Sequence, residues 1–287
     1  MTRKAADVDN HYPPDTLDGG WFGRMTRAHW ARSRATRAVV FVHGFGGDPV
    51  DTWVDFPTVL RGAAKLADCD LLFYGYDGLT TQANNSAAKF HDFLDRYLSN
   101  PAAVINTRHP VNVARPPFSY RTVVIAAHSL GAVVTRRALL RAHRARDRSA
   151  AASPWLPTVR IVLFAPAHNG AYAAEIAKSF LMSQGWWVAK VLGALGQLDV
   201  PLLNDLERRS ELIANLRADT TSAAANATAD NHLVAKRVLW AENELVVYND
   251  EFFRDPEGDL QYGTNHFSVC KPDGFGHAAA QAVLEQL

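Results

Sequence analysis

The chain has 287 residues, 48% of them hydrophobic and 21% charged, with a formal net charge of +1. That balance suits a globular protein able to bury a large α/β core, and it excludes a dominant electrostatic attraction to nucleic acid or to an anionic membrane surface. The two cysteines, Cys69 and Cys270, stand in apolar surroundings without zinc-type or redox spacing, which predicts buried thiols. The histidines show no H-x-x-x-H pattern, so no metal site is expected.

Residues 1–36 predict an N-terminal extension: a loose start with Pro13, Pro14, Gly19 and Gly20, then a segment whose Trp21, Phe22 and Trp30 dock on the main body. The first ten residues carry acids and bases where a secretory signal needs an apolar stretch, and no run is long enough to span a bilayer. A cytoplasmic protein is therefore expected. Ala38–Val42 is a continuous apolar run that predicts a buried parallel strand, ending in His43-Gly44-Phe45-Gly46-Gly47-Asp48-Pro49. A dinucleotide-binding loop would need a third glycine where Pro49 stands. The better reading is an HG-type loop, in which a backbone N–H beside the glycines joins the N–H after a nucleophile to form an oxyanion hole; Phe45 and Leu130 are the candidate donors.

Asp70–Asp77 reads as a strand ending in turn residues, and Ser86–Leu98 as a helix with Phe90, Phe93, Leu94 and Tyr97 on its core face. After a Pro- and Asn-containing connection, Val123–Ala127 forms an apolar strand that feeds a helix from Leu130 to about Arg146. At their junction, Ala127-His128-Ser129-Leu130-Gly131 is a G-x-S-x-G nucleophile elbow with Ala at the first glycine. Strand and helix backbones approach closely there, so the residues flanking the serine must be small. Ser129 would stand at the helix N-terminus, where the dipole favours developing negative charge. The helix also carries Arg136, Arg137, Arg141, Arg144, Arg146 and Arg148; without interleaved aromatics they predict a solvated outer face.

Val159–Ala165 is a further strand, running into Pro166–Ala171. Ala173–Leu198 is apolar, with Trp186 and Trp187, but broken by Lys178 and Lys190. It predicts either covering helices or, over about 173–216, a small helical cap above the site that could touch lipid peripherally. Pro201–Leu216 reads as one amphipathic helix and Ala218–Asn231 as a polar connection. Lys236–Ala241 is a late strand, followed by Glu242-Asn243-Glu244 and Leu245-Val246-Val247; Gly263–Val269 is irregular and Asp273–Leu287 a closing helix. This alternation defines one α/β domain over 37–287, with a mostly parallel sheet and helices on both faces.

A serine nucleophile needs a base and an acid to orient that base, here in the order serine, acid, histidine. Ser129, the acids after the strand around Val238–Trp240, and then His266 supply that order; His277 and His168 fit the expected position less well. The HGFGG loop at 43–47, the AHSLG elbow at 127–131, the APAHNG turn at 165–170 and the NHFSVCKP segment at 265–272 together resemble the α/β-hydrolase superfamily. The last two also resemble lipase-like serine esterases related to SERAC-type and GPI-inositol-deacylase-like proteins.

The resemblance covers roughly 38–287. It implies an eight-stranded, mostly parallel sheet and cofactor-independent hydrolysis of small-molecule or lipid esters. It makes Ser129 the nucleophile, His266 the base and then acid, and Glu244 the orienting acid. Glu244-Leu245-Val246-Val247 fits a loop that more commonly opens with Asp, and Glu242 and Asp250 are alternative acids. His43, Gly44, His128 and Gly131 would shape the loop and elbow. An acyltransferase on the same triad and a non-catalytic binding scaffold are the competing readings.

Overall fold

The computed structural model describes residues 10–17, 25–103, 120–172, 175, 201–225 and 232–287. Eight strands form one sheet: β1 (Asp15–Leu17), β2 (Thr26–His29), β3 (Arg37–Val42), β4 (Cys69–Tyr74), β5 (Thr122–His128), β6 (Val159–Phe164), β7 (Ala235–Asn243) and β8 (Asp259–Asn265). Their order is β1-β2-β4-β3-β5-β6-β7-β8, parallel from β4 to β8 and antiparallel at the β1-β2-β4 side. In β3 and β5 consecutive apolar residues are all buried, so both faces of the sheet are covered, as continuous β-branched and aliphatic runs require. The aromatic core gathers on Phe41, which stacks on Phe73 with centroids 4.6 Å apart and meets Trp53 and Phe56 edge-on or tilted. Burying each such ring stabilises the fold by about 1.5–3 kcal/mol.

The helices are α1 (Phe56–Arg61), α2 (Ala83–Ser99), α3 (Leu130–Arg148), α4 (Pro201–Asp205), α5 (Glu211–Ala225) and α6 (Ala278–Leu284). α3 packs against both α2 and α5, while α1 meets α6. Cys69 and Cys270 are buried free thiols, and burial pushes the Cys270 thiol up to about 12.

Five expectations need correcting. The N-terminal segment supplies two strands of the sheet: β2 pairs with β4, and Trp30 Nε1 donates to Asp15 Oδ2 at 2.7 Å. Runs of three and four residues are too short for a period-two pattern to register. Trp21 and Phe22 lie outside the described residues. Gly263–Val269 is not wholly irregular, because its first residues finish β8; this strand lies at the rim and is largely exposed, so its polar sequence carries no core signal. Pro201–Leu216 is two helices, α5 beginning after Ser210, whose Oγ accepts the Ile213 N–H at 3.2 Å. α5 then continues through Ala218–Ala225, where Thr220 and Thr221 hydroxyls donate to the carbonyls of Leu216 and Arg217. The closing helix starts only at Ala278, with His277 as its cap accepting from Ala279 N–H at 3.2 Å.

The fifth correction concerns Arg136, which is not on a solvated face. It is 1% exposed, donates to Leu233 O at 2.6 Å and pairs with the buried carboxylate of Asp255. The expected cap over 173–216 lies outside the described residues except for Glu175, α4 and the first part of α5.

Candidate active site

The site is built where the carboxyl ends of β3, β5, β7 and β8 meet. Ser129 follows β5 with φ 53° and ψ −120°, a conformation that L residues rarely hold. Three backbone bonds fix it: its N–H donates to Phe164 O at 3.0 Å, and its carbonyl accepts from Ala132 at 3.0 Å and Ala167 at 3.1 Å. Gly131 is forced by the close crossing of α3 over β3, since a Cβ there would stand 2.3 Å from Val42 O. Gly44 is forced too: a Cβ on it would lie 2.9 Å from Ser129 Cβ. The loop backbone therefore rests directly against the serine. His43 stacks on Tyr76 at 4.3 Å, and the Tyr76 hydroxyl donates to His43 O at 2.8 Å, holding that loop in place. Leu130 supplies the first N–H of α3, one of those that a helix leaves without an internal partner.

His266 lies between the serine and an acid. Its Nε2 is 3.0 Å from Ser129 Oγ, and its Nδ1 is 3.0 Å from each carboxylate oxygen of Glu244. The His266 and Glu244 side chains are only 5% and 4% exposed. Glu244 Oε1 also accepts the Val246 and Val247 N–H groups at 2.8 and 3.1 Å. A carboxylate only accepts, so Nδ1 carries the imidazole proton and Nε2 is left to receive the serine proton.

Neighbouring bonds hold both partners. His128 Nε2–H donates to His266 O at 2.8 Å; burial, helped by the nearby His266, holds the His128 pKa well below the usual range, so it stays neutral. Asn265 Oδ1 accepts from Phe267 and Ser268 at 3.0 and 3.1 Å, while Ser268 Oγ accepts the Asn265 N–H at 2.9 Å. The acid loop is joined to the turn after β6 by Tyr172 N–H to Val246 O at 2.8 Å and Tyr248 N–H to Gly170 O at 3.2 Å. Gly170, at φ 97°, lies where a Cβ would meet the Arg208 backbone at 2.5 Å.

The remaining candidates lie apart from this chain of bonds. Glu242 accepts the Gly263 N–H at 2.8 Å and so ties β7 to β8, and Asp250 pairs with Arg208. His277 caps α6, and His168 is buried against Phe252, ring centroids 4.4 Å apart. Asn265 and Ser268 were missed from sequence, although an Asn with a Ser three residues later is a recognisable turn-forming signal. Among the described residues no group of three His, Cys, Asp or Glu side chains is arranged to hold a metal, and no helix is long and apolar enough to cross a membrane.

A mostly parallel open sheet carrying a strained serine between its fifth strand and the following helix is an α/β-hydrolase fold. Solved structures of similar shape include proteins named as lipases. The propeptide form of lipase BlEst2 from Bacillus licheniformis matches with a TM-score of 0.52 at 15% identity, over 89% of this chain and 51% of that one. The chain thus spans about half that protein's length. The mature form of BlEst2 gives 0.47 at 16% identity over 82% and 87% of the two chains, and a Paleococcus ferrophilus monoacylglycerol lipase 0.47 at 12% over 88% and 94%. At these identities the likeness concerns the fold alone. No protein-family model matches the chain, and neither does any curated protein.

Proposed function

We propose that the protein is a serine hydrolase of carboxylic esters working through an acyl-enzyme. The observation that carries this reading is the unbroken line Ser129 Oγ, His266 Nε2, His266 Nδ1, Glu244 carboxylate, each step 3.0 Å. Ser129 Oγ attacks the ester carbonyl carbon as its proton moves to His266 Nε2, and the Phe45 and Leu130 N–H groups receive the oxyanion. Collapse of the tetrahedral intermediate breaks the C–O bond, and His266 gives its proton to the departing alcohol. Water then attacks the acyl-enzyme, its proton passing to His266, and the carboxylic acid leaves as Ser129 recovers its proton. Glu244 keeps Nδ1 protonated and stabilises the imidazolium formed in each half-reaction.

The narrower reading, a lipase-like serine esterase, rests on the APAHNG and NHFSVCKP motifs and belongs to the same proposal, as do small-molecule or lipid esters as substrates and a cytoplasmic location. Exclusion of water by the Trp186 and Trp187 region would favour the acyltransferase alternative, and both residues lie outside the described residues. The experiment is hydrolysis of nitrophenyl esters of increasing chain length, with fluorophosphonate labelling, by wild type and Ser129→Ala. The wild type is expected to turn over and label, the variant to do neither. Undiminished labelling of Ser129→Ala would remove the serine from the mechanism.

A further inference from the structure

Four of the arginines of α3 line a groove apart from the site described above. Arg137, Arg141, Arg144 and Arg148 are spaced by four, three and four residues, which puts them in one stripe along the helix. That stripe lines a groove of about 660 Å³ walled by α2 and α5. Only Asp92 and Asp219 offset the four guanidinium groups among the residues lining it. Asp219 is shared, one oxygen accepting from Arg137 at 2.7 Å and the other from Arg144 at 2.9 Å. The Asp92 side chain is 82% exposed and leans on His91 at 3.6 Å. Among the described residues, Arg141 and Arg148 have no hydrogen-bonding or ion-pair partner. The groove therefore carries a surplus of positive charge, with like charges at helical neighbour positions that repel one another until a counter-charge arrives.

We infer that this groove binds a soluble ligand bearing two or more phosphate groups. Guanidinium forks bind phosphate oxygens bidentately, and the unpaired Arg141 and Arg148 are about 10 Å apart in helix rise, more than one phosphate spans. A concave groove in which Arg144 bridges them suits a linear oligophosphate or a phosphorylated metabolite. A lipid headgroup offers the same phosphate chemistry, but no large exposed apolar side chain lines the groove to enter a bilayer. Arg141 lies twelve residues beyond Ser129, about 18 Å along the helix, so the groove is separate from the esterase site.

The test is calorimetric titration of the full chain with sodium tripolyphosphate and, separately, orthophosphate at low ionic strength, and co-sedimentation with phosphatidylcholine vesicles containing phosphatidic acid. Tripolyphosphate is expected to bind at one site, at least tenfold more tightly than orthophosphate. Its affinity should fall about tenfold in Arg141→Gln and a hundredfold in Arg141→Gln/Arg148→Gln, with unchanged melting temperature and ester turnover. No saturable tripolyphosphate binding, or binding unchanged in the double variant, overturns the inference. Vesicle binding that tripolyphosphate does not displace overturns the soluble source. Because the readout is binding, the outcome is independent of whether Ser129 is catalytic.

Discussion

Glu244→Gln is the most discriminating perturbation of the site. The amide keeps the side-chain length, and Oε1 can still accept the Val246 and Val247 N–H groups that Glu244 now holds at 2.8 and 3.1 Å. What changes is one of the two atoms 3.0 Å from His266 Nδ1: Oε2 becomes an NH₂ donor, while Oε1 stays an acceptor without the carboxylate charge. The NH₂ opposes an Nδ1–H and can itself donate to a bare Nδ1, so the amide favours the imidazole tautomer protonated at Nε2, which lacks the lone pair that faces Ser129, and it no longer stabilises an imidazolium. Removing the orienting carboxylate in Ser-His-acid enzymes costs roughly 10⁴ in kcat. That corresponds to about 5.4 kcal/mol of transition-state stabilisation. The folded state loses much less, about 1–2 kcal/mol, because one charge-assisted bond is replaced. Steady-state kinetics on a nitrophenyl ester and a urea melt read the two effects separately. Glu244→Asp should fall between, about 10–100-fold slower, its carboxylate withdrawn by roughly one C–C bond. Activity of Glu244→Gln within tenfold of wild type, with a thousandfold loss in Glu242→Gln or Asp250→Asn, would refute the assignment and move the acid elsewhere.

Three further outcomes are expected. Asn265→Ala removes the acceptor for the Phe267 and Ser268 N–H groups and should lower kcat about a hundredfold with KM little changed, while Asn265→Asp restores most of the rate; an unaffected kcat in the alanine variant would show that this turn does not position His266. His128 and His168 are both held neutral by burial, their folded pKa values lying well below the ordinary 6.5. The unfolded chain therefore binds more protons below pH 6.5, and unfolding free energy should fall as pH drops, by up to about 1.4 kcal/mol per pH unit for each histidine. Urea melts at pH 7, 6 and 5 measure this, and a slope that His168→Gln leaves unaltered would count against it. Gly131→Ala drives a Cβ to within 2.3 Å of Val42 O and should cost about 3 kcal/mol or more, read as a drop in melting temperature.

The sequence made the centre of the fold legible and its rim much less so. β3 and β5 are buried on both faces, and an uninterrupted apolar run identifies each of them, while β6 is marked by Ile161–Phe164 after the exposed Arg160. β8 reads Asp-Leu-Gln-Tyr-Gly-Thr-Asn and faces solvent, so nothing in its composition separates it from a loop. The α4–α5 break was hidden because Glu207-Arg208-Arg209-Ser210-Glu211 contains no Gly or Pro to end a helix, and only the cap at Ser210 marks the new start. At the site, Ser129 and Gly131 announce themselves because a tight strand-to-helix turn admits few residue types. Glu244 does not, because three candidate acids, Glu242, Glu244 and Asp250, fall within nine residues at and after the end of β7 and only the hydrogen bonds distinguish their roles. Arg136 was misread because a charge on a helix predicts solvent unless its partner is known, and Asp255 lies 119 residues away.

The proposed base belongs to the rim. Ser129 grows from β5, in the middle of the sheet, whereas His266 follows β8, which among the described residues pairs only with β7 and whose register slips at Ala241 and Asn243. Outer strands with one neighbour open at lower free energy than the strands they flank, so the last strand can fray while the core persists. The proposed nucleophile and base thus sit in parts of the molecule that loosen at different free energies. Turnover would report the docking of the outermost strand, and it would cease under stress before amide exchange in β3 and β5 accelerates. Whatever seals that rim in the cell would govern how long the molecule stays active at a given temperature, with no contact to the reacting atoms.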